Sequence, residues 1–183
     1  MPSKPTMPND SGIGAFYFTT PIGTCALVWG PGGIRAVNLP EATERQTRER
    51  VAREHPSVRE MEPPDRIRQV AASVARLVEG GSEGLAEVPL DWDGVTPFQR
   101  RVYEAAREIP PGKTLTYGDL ASKMGSPGGA RAVGHALGRN PFVLVVPCHR
   151  VLAANGGLGG FSAHGGVRTK RRLLDIEAGT CVR

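Results

Sequence analysis

Cysteine is scarce in this chain. Cys25, Cys148 and Cys181 stand far apart and odd in number, which excludes a disulfide framework and fits a reducing compartment. No Cys-x-x-Cys pair occurs and the 4 histidines form no cluster at ligand spacing, so neither a metal nor a cofactor is expected. Long apolar runs are missing too. No stretch approaches the ~20 apolar residues that span a bilayer. The opening Met1-Pro2-Ser3-Lys4-Pro5-Thr6-Met7-Pro8 lacks the apolar segment of a secretory signal. The expectation is a cytoplasmic, monomeric protein with no membrane partner, in which only residues 1–13 form a disordered tail.

Acidic residues are scarce in one half only. Residues 1–94 hold 10 Lys+Arg and 13 Asp+Glu, a balance of −3, whereas residues 95–183 hold 13 and 5, a balance of +8. An excess of that size is the footprint of a surface that meets nucleic acid, although a soluble domain with an incidental imbalance would read the same way. The chain is long enough for two small cores that share an interface. We therefore expect an N-terminal α/β domain with its linker over 14–94 and a second domain over 95–183.

In the first half, Ala15-Phe16-Tyr17-Phe18-Thr19-Thr20, Cys25-Ala26-Leu27-Val28-Trp29 and Ile34-Arg35-Ala36-Val37-Asn38-Leu39 alternate with Gly/Pro turns and predict a three-stranded antiparallel meander. Helices are predicted over 41–55 and over 64–79, the second with Ile67, Val70, Ala71, Val74, Leu77 and Val78 on one face. The glycine cluster at 80–84 and the acidic stretch to Gly94 read as a domain connection.

Thr96-Pro97 then starts a helix that runs to about Glu108. Short helices over 116–124 and 130–139, separated by Gly125-Ser126-Pro127-Gly128, read as a helix-turn-helix. Its second helix is thin: Ala130, Ala132, Gly134 and Ala136 surround one long cation, Arg131, which either reaches into a groove of a duplex or is a plain surface charge.

The most informative run is Val146-Pro147-Cys148-His149-Arg150-Val151. A cysteine beside cations can ionise near neutral pH and become a nucleophile. The opposite reading is a small buried filler, and Phe142-Val143-Leu144-Val145-Val146 before it predicts a buried strand.

Thr96-Pro97-Phe98-Gln99, Thr116-Tyr117-Gly118-Asp119-Leu120-Ala121, Arg131-Ala132-Val133-Gly134, Asn140-Pro141 and Pro147-Cys148-His149-Arg150-Val151 follow one another in order. This series resembles the O6-alkylguanine-DNA alkyltransferases, also called methylated-DNA-protein-cysteine methyltransferases, closely over 95–179 and loosely before. The resemblance implies an α+β fold, with a ribonuclease H-like N-terminal domain and a winged-helix-like, mostly helical C-terminal one. It also implies DNA repair by direct reversal: the alkyl group of O6-alkylguanine in duplex DNA, after nucleotide flipping, passes irreversibly to the protein's own cysteine. Whether O4-alkylthymine is accepted, and whether copies bind DNA cooperatively, is left open.

By the same resemblance Cys148 is the alkyl acceptor, His149 its base through a water, and Glu177 the group that holds the imidazole tautomer. Tyr117 protonates the departing guanine, and Asn140 bridges the recognition helix to the active-site loop. Arg131 fills the gap left by the flipped nucleotide, with Thr116, Ala130, Ala132 and Gly134 beside it at the DNA. Val151, Phe161, Ser162 and Tyr117 line the substrate pocket. Ser162 donates to the guanine oxygen, and the carbonyls of Cys148 and Val151 accept from its amine. Basic residues 168 and 170–172 on the last helix are expected to be solvated. The loop Ser162-Ala163-His164-Gly165-Gly166 is about two residues longer than the shortest versions, and the resemblance assigns His164 no role. Two other readings remain: a DNA-binding protein without chemistry, and a cysteine hydrolase.

Overall fold

The computed structural model describes residues 12–82 and 84–180, so most of the expected tail and Cys181 lie outside the described residues. Ile13, at the end of that tail, packs against an apolar cluster.

Strands Gly14–Thr20 (β1), Gly23–Gly30 (β2) and Gly33–Asn38 (β3) form the antiparallel meander, with a register shift between Val28 and Trp29. Their alternation sorts the side chains onto two faces. Cys25, Leu27, Trp29 and Val37 join the main core, whereas Ala15, Ala26, Val28 and Ala36 meet Val51 of a covering helix. Three of those four are alanines, which lets the helix lie close. The helix is Glu44–Glu54 (α1), capped by Thr43, whose side chain accepts from the Gln46 N–H.

The sheet has a fourth strand, Arg59–Glu60 (β4), parallel to β1, in the order β3-β2-β1-β4. This corrects the three-stranded expectation. Two exposed charged residues carry no alternation, and only the pairing with Gly14 and Ala15 makes them a strand.

Helix Asp65–Val78 (α2) buries Ile67, Ala71, Val74, Leu77 and Val78. The connection that follows is packed rather than free. Leu85 and Leu90 are buried in the core, the Ile34 N–H donates to the Pro89 carbonyl at 2.9 Å, and the Asp91 N–H donates to the Ile34 carbonyl at 2.8 Å. Gly33, with φ +128°, is required there, since a Cβ would run into the Pro89 carbonyl.

Pro97–Arg107 (α3) begins with a Thr96/Gln99 capping box. Leu115–Thr116 (β5) leads into Tyr117–Lys123 (α4) and Ala130–Leu137 (α5), the two helices of the expected helix-turn-helix. Residues 142–146 are a buried turn, not a strand: Val143 bridges to Val146, and Leu144 takes φ 73°. Their apolarity reflects burial, which a turn at the centre of the molecule satisfies as well as a strand does. Cys148–Arg150 forms a single 3-10 turn, Val151–Leu152 (β6) pairs in parallel with β5, and Val167–Glu177 (α6) closes the fold. One apolar core runs from Cys25 of the sheet to Leu173 of α6. Among the described residues no helix is long and apolar enough to cross a membrane.

Candidate active site

Cys148 is held by the turn before it. Asn140, just after α5, donates from Nδ2 to the Val146 carbonyl at 2.9 Å and accepts from the Phe142 N–H at 2.9 Å, so one side chain clamps both ends of the 142–146 turn. Tyr103 of α3 donates to the Ala136 carbonyl at 3.0 Å and braces α5 from behind.

Cys148 is only 5% exposed, yet it lines a cavity of about 550 Å³. That volume lies within the ~300–1,000 Å³ typical of ligand sites. Tyr117 at the start of α4, Ala130, Arg131 and Gly134 of α5, and Phe161 and Ser162 of the loop before α6 share the wall. Arg131 is exposed on that wall, whereas Ala132, also exposed, and Val151, expected in the pocket but fully buried, are not part of it.

His149 is fully buried and its Nε2 lies 2.8 Å from Oε1 of Glu177. An ionised carboxylate only accepts, so Nε2 carries the proton and Nδ1 is left with a lone pair. Nδ1 is buried and has no hydrogen-bond partner among the described residues. Arg150 holds both oxygens of the same carboxylate, with Nη2 2.7 Å from Oε1 and Nε 3.0 Å from Oε2, and its Nη1 donates to the Ile109 carbonyl at 2.6 Å. Burial pushes the Glu177 carboxyl up, but the hydrogen bonds from His149 and Arg150 outweigh it and bring the pKa down to about 2. Burial also holds the His149 pKa below its ordinary value, against the pull of Glu177. The site at rest is therefore a neutral imidazole on an ionised carboxylate.

The expectation that His149 and Arg150 lower the Cys148 thiol is corrected. Both turn to Glu177, and burial raises the thiol, opposed by Asn140, Lys170 and the backbone N–H groups of Cys148 and His149. The resting sulfur is protonated. Tyr117 is likewise raised, by burial and by the neighbouring Cys148, so its hydroxyl keeps its proton.

A second correction concerns Lys170. It is 0% exposed, whereas Arg168, Arg171 and Arg172 are on the surface. Its Nζ donates to the Val151 carbonyl at 2.6 Å and lies 5.7 Å from the centre of the Tyr117 ring. Burial lowers its pKa while Cys148 pulls it back up. The Val151 carbonyl, expected to be a substrate acceptor, thus has one of its two lone pairs occupied. The hydroxyl of Thr116, expected at the DNA, is occupied by the α4 capping box, donating to Asp119 Oδ2 at 2.7 Å and accepting from its N–H at 3.0 Å. Sequence reasoning missed Arg150 and Lys170 as members of the cluster. For Lys170 the helical phase offered a signal, since it lies three residues before Leu173 and six before Ile176, both buried.

A family model for the DNA-binding domain of 6-O-methylguanine DNA methyltransferase matches residues 97–179. A methylated-DNA–protein-cysteine methyltransferase of Methanothermobacter thermautotrophicus is 36% identical over 157 residues, covering 86% of this chain and 81% of the relative. The chain belongs to this methyltransferase family. A methyltransferase of the same name from Mycobacterium tuberculosis is 50% identical over 91 residues, 50% of this chain and 53% of that one. In three dimensions, the crystal structure of Mycobacterium tuberculosis OGT in complex with DNA superposes with a TM-score of 0.73 at 34% identity, over 92% of this chain and 95% of that one. The O6-methylguanine-DNA methyltransferase of Pyrococcus kodakaraensis follows at 0.66 and 30% identity, over 90% and 98%. The methyltransferase likeness therefore extends through both halves, although the described sequence motifs lie in the second.

Proposed function

We propose that this chain repairs duplex DNA by moving the alkyl group of an O6-alkylated guanine onto Cys148, once per molecule, after the nucleotide has been flipped into the 550 Å³ cavity. The observation that carries this reading is a lone cysteine on the wall of a ligand-sized cavity, next to a neutral histidine whose free nitrogen faces no protein partner. A water between Nδ1 of His149 and the thiol takes the proton off sulfur, and Glu177 stabilises the imidazolium that forms. The thiolate forms a bond to the alkyl carbon as the carbon–O6 bond breaks. The electron pair stays with the guanine, which Tyr117 protonates. Asn140 positions the sulfur, and Lys170 stabilises the developing negative charge on the Cys148 and Tyr117 side of the cavity.

Arg131 fills the space of the extruded nucleotide, while Ala130, Ala132 and Gly134 allow α5 to lie in the minor groove. Phe161 and Ser162 contact the base. Residues 14–94 form a ribonuclease H-like scaffold and residues 95–183 a winged-helix-like unit that binds DNA and accepts the alkyl group.

The deciding experiment is intact-mass and peptide analysis after incubation with a duplex containing O6-methylguanine. One methyl group on the Cys148 peptide is expected, saturating at one equivalent. Protein recovered without added mass overturns the reading, and turnover beyond one equivalent points to a hydrolase.

Two variants probe the parts. Arg131→Ala is expected to slow transfer from duplex DNA while leaving transfer from free O6-benzylguanine base unchanged, since flipping is needed only in DNA. Equal losses on both substrates remove Arg131 from that role. Lys170→Met keeps the length of the stem and removes the charge. A loss of one unit of thiolate stabilisation corresponds to about a tenfold slower transfer, and ultraviolet titration of Cys148 is expected to show the thiol moved upward.

A further inference from the structure

The loop between Phe161 and α6 separates two cavities. The one that contains Cys148 is about 550 Å³; behind it lies a second of about 280 Å³, lined by Asn38, Arg50 and Glu54 among others. Ser162, itself exposed, and Gly138 line both, so the two cavities meet at these residues.

The loop carries its own anchor. His164 Nδ1 lies 3.0 Å from Glu41 Oε2, their side chains 49% and 19% exposed. The other oxygen of Glu41 accepts from Arg50 Nη1 at 2.8 Å, and Arg50 Nε donates to Glu54 at 2.9 Å, so the loop is tied to α1 through a chain of charges that also walls the rear cavity. The start of the Glu41 segment is fixed in turn, because the Glu41 N–H donates to the buried hydroxyl of Thr47 at 2.9 Å. On the other side of His164 the backbone is set by Thr169, whose hydroxyl donates to the His164 carbonyl at 2.6 Å. Gly165, at φ +80°, leaves no room for a Cβ against that same hydroxyl.

The α6 end of the loop is thus pinned by backbone geometry; nearer Ser162, Ala163 is buried in the core and its carbonyl accepts from the Gly166 N–H at 3.0 Å, and the His164–Glu41 contact adds the side-chain tie toward α1. We propose that the His164–Glu41 pair determines how large an O6-substituent the site accepts, by holding Ser162 as the wall between the two cavities. With the pair intact, the substituent on the flipped base is confined to the front cavity. With the pair broken, the wall yields and the far end of a bulky substituent enters the space in front of Asn38. Asn38 favours a substituent with an acceptor atom, since its buried Nδ2 has no hydrogen-bond partner among the described residues. The inference rests on the alkyl-transfer reading above. His164 and Glu41 touch neither the sulfur nor its proton relay, so they act by position.

The test compares single-turnover transfer from duplexes carrying O6-methylguanine and O6-benzylguanine, in the unaltered protein and in His164→Ala, Glu41→Gln and the double variant. A partly exposed pair is a modest restraint, so the benzyl-to-methyl rate ratio is expected to rise about two- to fivefold in each single variant. The double variant is expected to rise no further than Glu41→Gln alone, because the His164 contact is already weakened in that single variant. His164→Lys, which keeps a side-chain N–H donor beside Glu41, is expected to retain the original ratio, a result that a merely structural histidine does not produce. Methyl transfer is expected to stay within about twofold throughout, as for any surface substitution away from the reacting atoms. An unchanged or lower ratio in His164→Ala overturns the proposal, as do multiplied effects in the double variant or a raised ratio in His164→Lys. Absence of methyl transfer in the unaltered protein overturns the transfer reading itself, and the two failures are told apart by that control.

Discussion

Cys148→Ala is expected to abolish alkyl transfer completely while leaving binding to lesion-containing duplex intact. No other described cysteine lines the cavity: Cys25 is buried in the sheet, and burial pushes its thiol up to about 11. The substitution removes one small atom from the cavity wall and leaves Arg131, Tyr117 and the Asn140 clamp in place. Binding is measured by gel shift or anisotropy against a duplex with O6-methylguanine, and transfer by mass. It is expected to weaken with rising salt in both forms of the protein, because phosphate contacts release counterions. The loss of sulfur carries a second signature. Part of the upward shift of Tyr117 comes from Cys148, after burial, so the variant's Tyr117 is expected to titrate lower. Residual methylation of Cys148→Ala at any other residue would remove Cys148 from the centre of the mechanism.

Glu177→Gln is expected to slow transfer by about 10⁴-fold, the scale seen when a carboxylate that sets a histidine tautomer becomes an amide. The reason is geometric. Oε1 accepts from both His149 Nε2 and Arg150 Nη2, and Oε2 from Arg150 Nε and the Gly112 N–H, so an amide in either orientation sets its NH₂ against a donor. With the NH₂ on the Oε1 side, Nε2 must accept, the proton moves to Nδ1 and the lone pair used by the proposed relay is lost; on the Oε2 side, the charge that stabilises the imidazolium is gone.

The same substitution changes stability. Removing one partner of a buried ion pair costs about 3–5 kcal/mol. Glu177 titrates at about 2 in the fold against an ordinary 4.5, so its contribution is fully present above pH 4.5 and is lost as pH falls through about 2. The shift is on the order of 3 kcal/mol, consistent with the pair-breaking figure. His149, held neutral by burial, adds to the acid loss below its ordinary 6.5, because the unfolded chain takes up the proton first. Urea unfolding as a function of pH is expected to show the unaltered protein losing stability between pH 4.5 and 2, and Glu177→Gln starting lower and falling less steeply over that window, with only the His149 part of the acid loss left. A variant with the same acid slope as the unaltered protein contradicts the role of Glu177.

Much of the architecture was legible because its signals are local. Thr43, Thr96 and Thr116 cap their helices within three residues, the apolar face of α2 repeats every three or four, and β1 to β3 are bounded by glycine turns. The pairing of β5 with β6 joins residues 36 apart and rests on two residues a side, a span with no pattern of its own. The 142–146 segment misled because apolar content reports burial and not conformation. Asn140 decides the conformation there, by binding both ends of the turn.

Read alone, the sequence established the cysteine, its histidine, the order of the helices and the uneven distribution of charge. Each of these is a property of residues near one another in the chain. Only the tertiary structure decided that Arg150 and His149 share Glu177, 27 and 28 residues away, that Lys170 is buried against the Val151 carbonyl, and that the thiol rests protonated. The direction a side chain takes, and the water stripped from it, depend on what other segments bring to the same place. The charge state of Cys148 follows from that meeting of segments more than from its immediate neighbours.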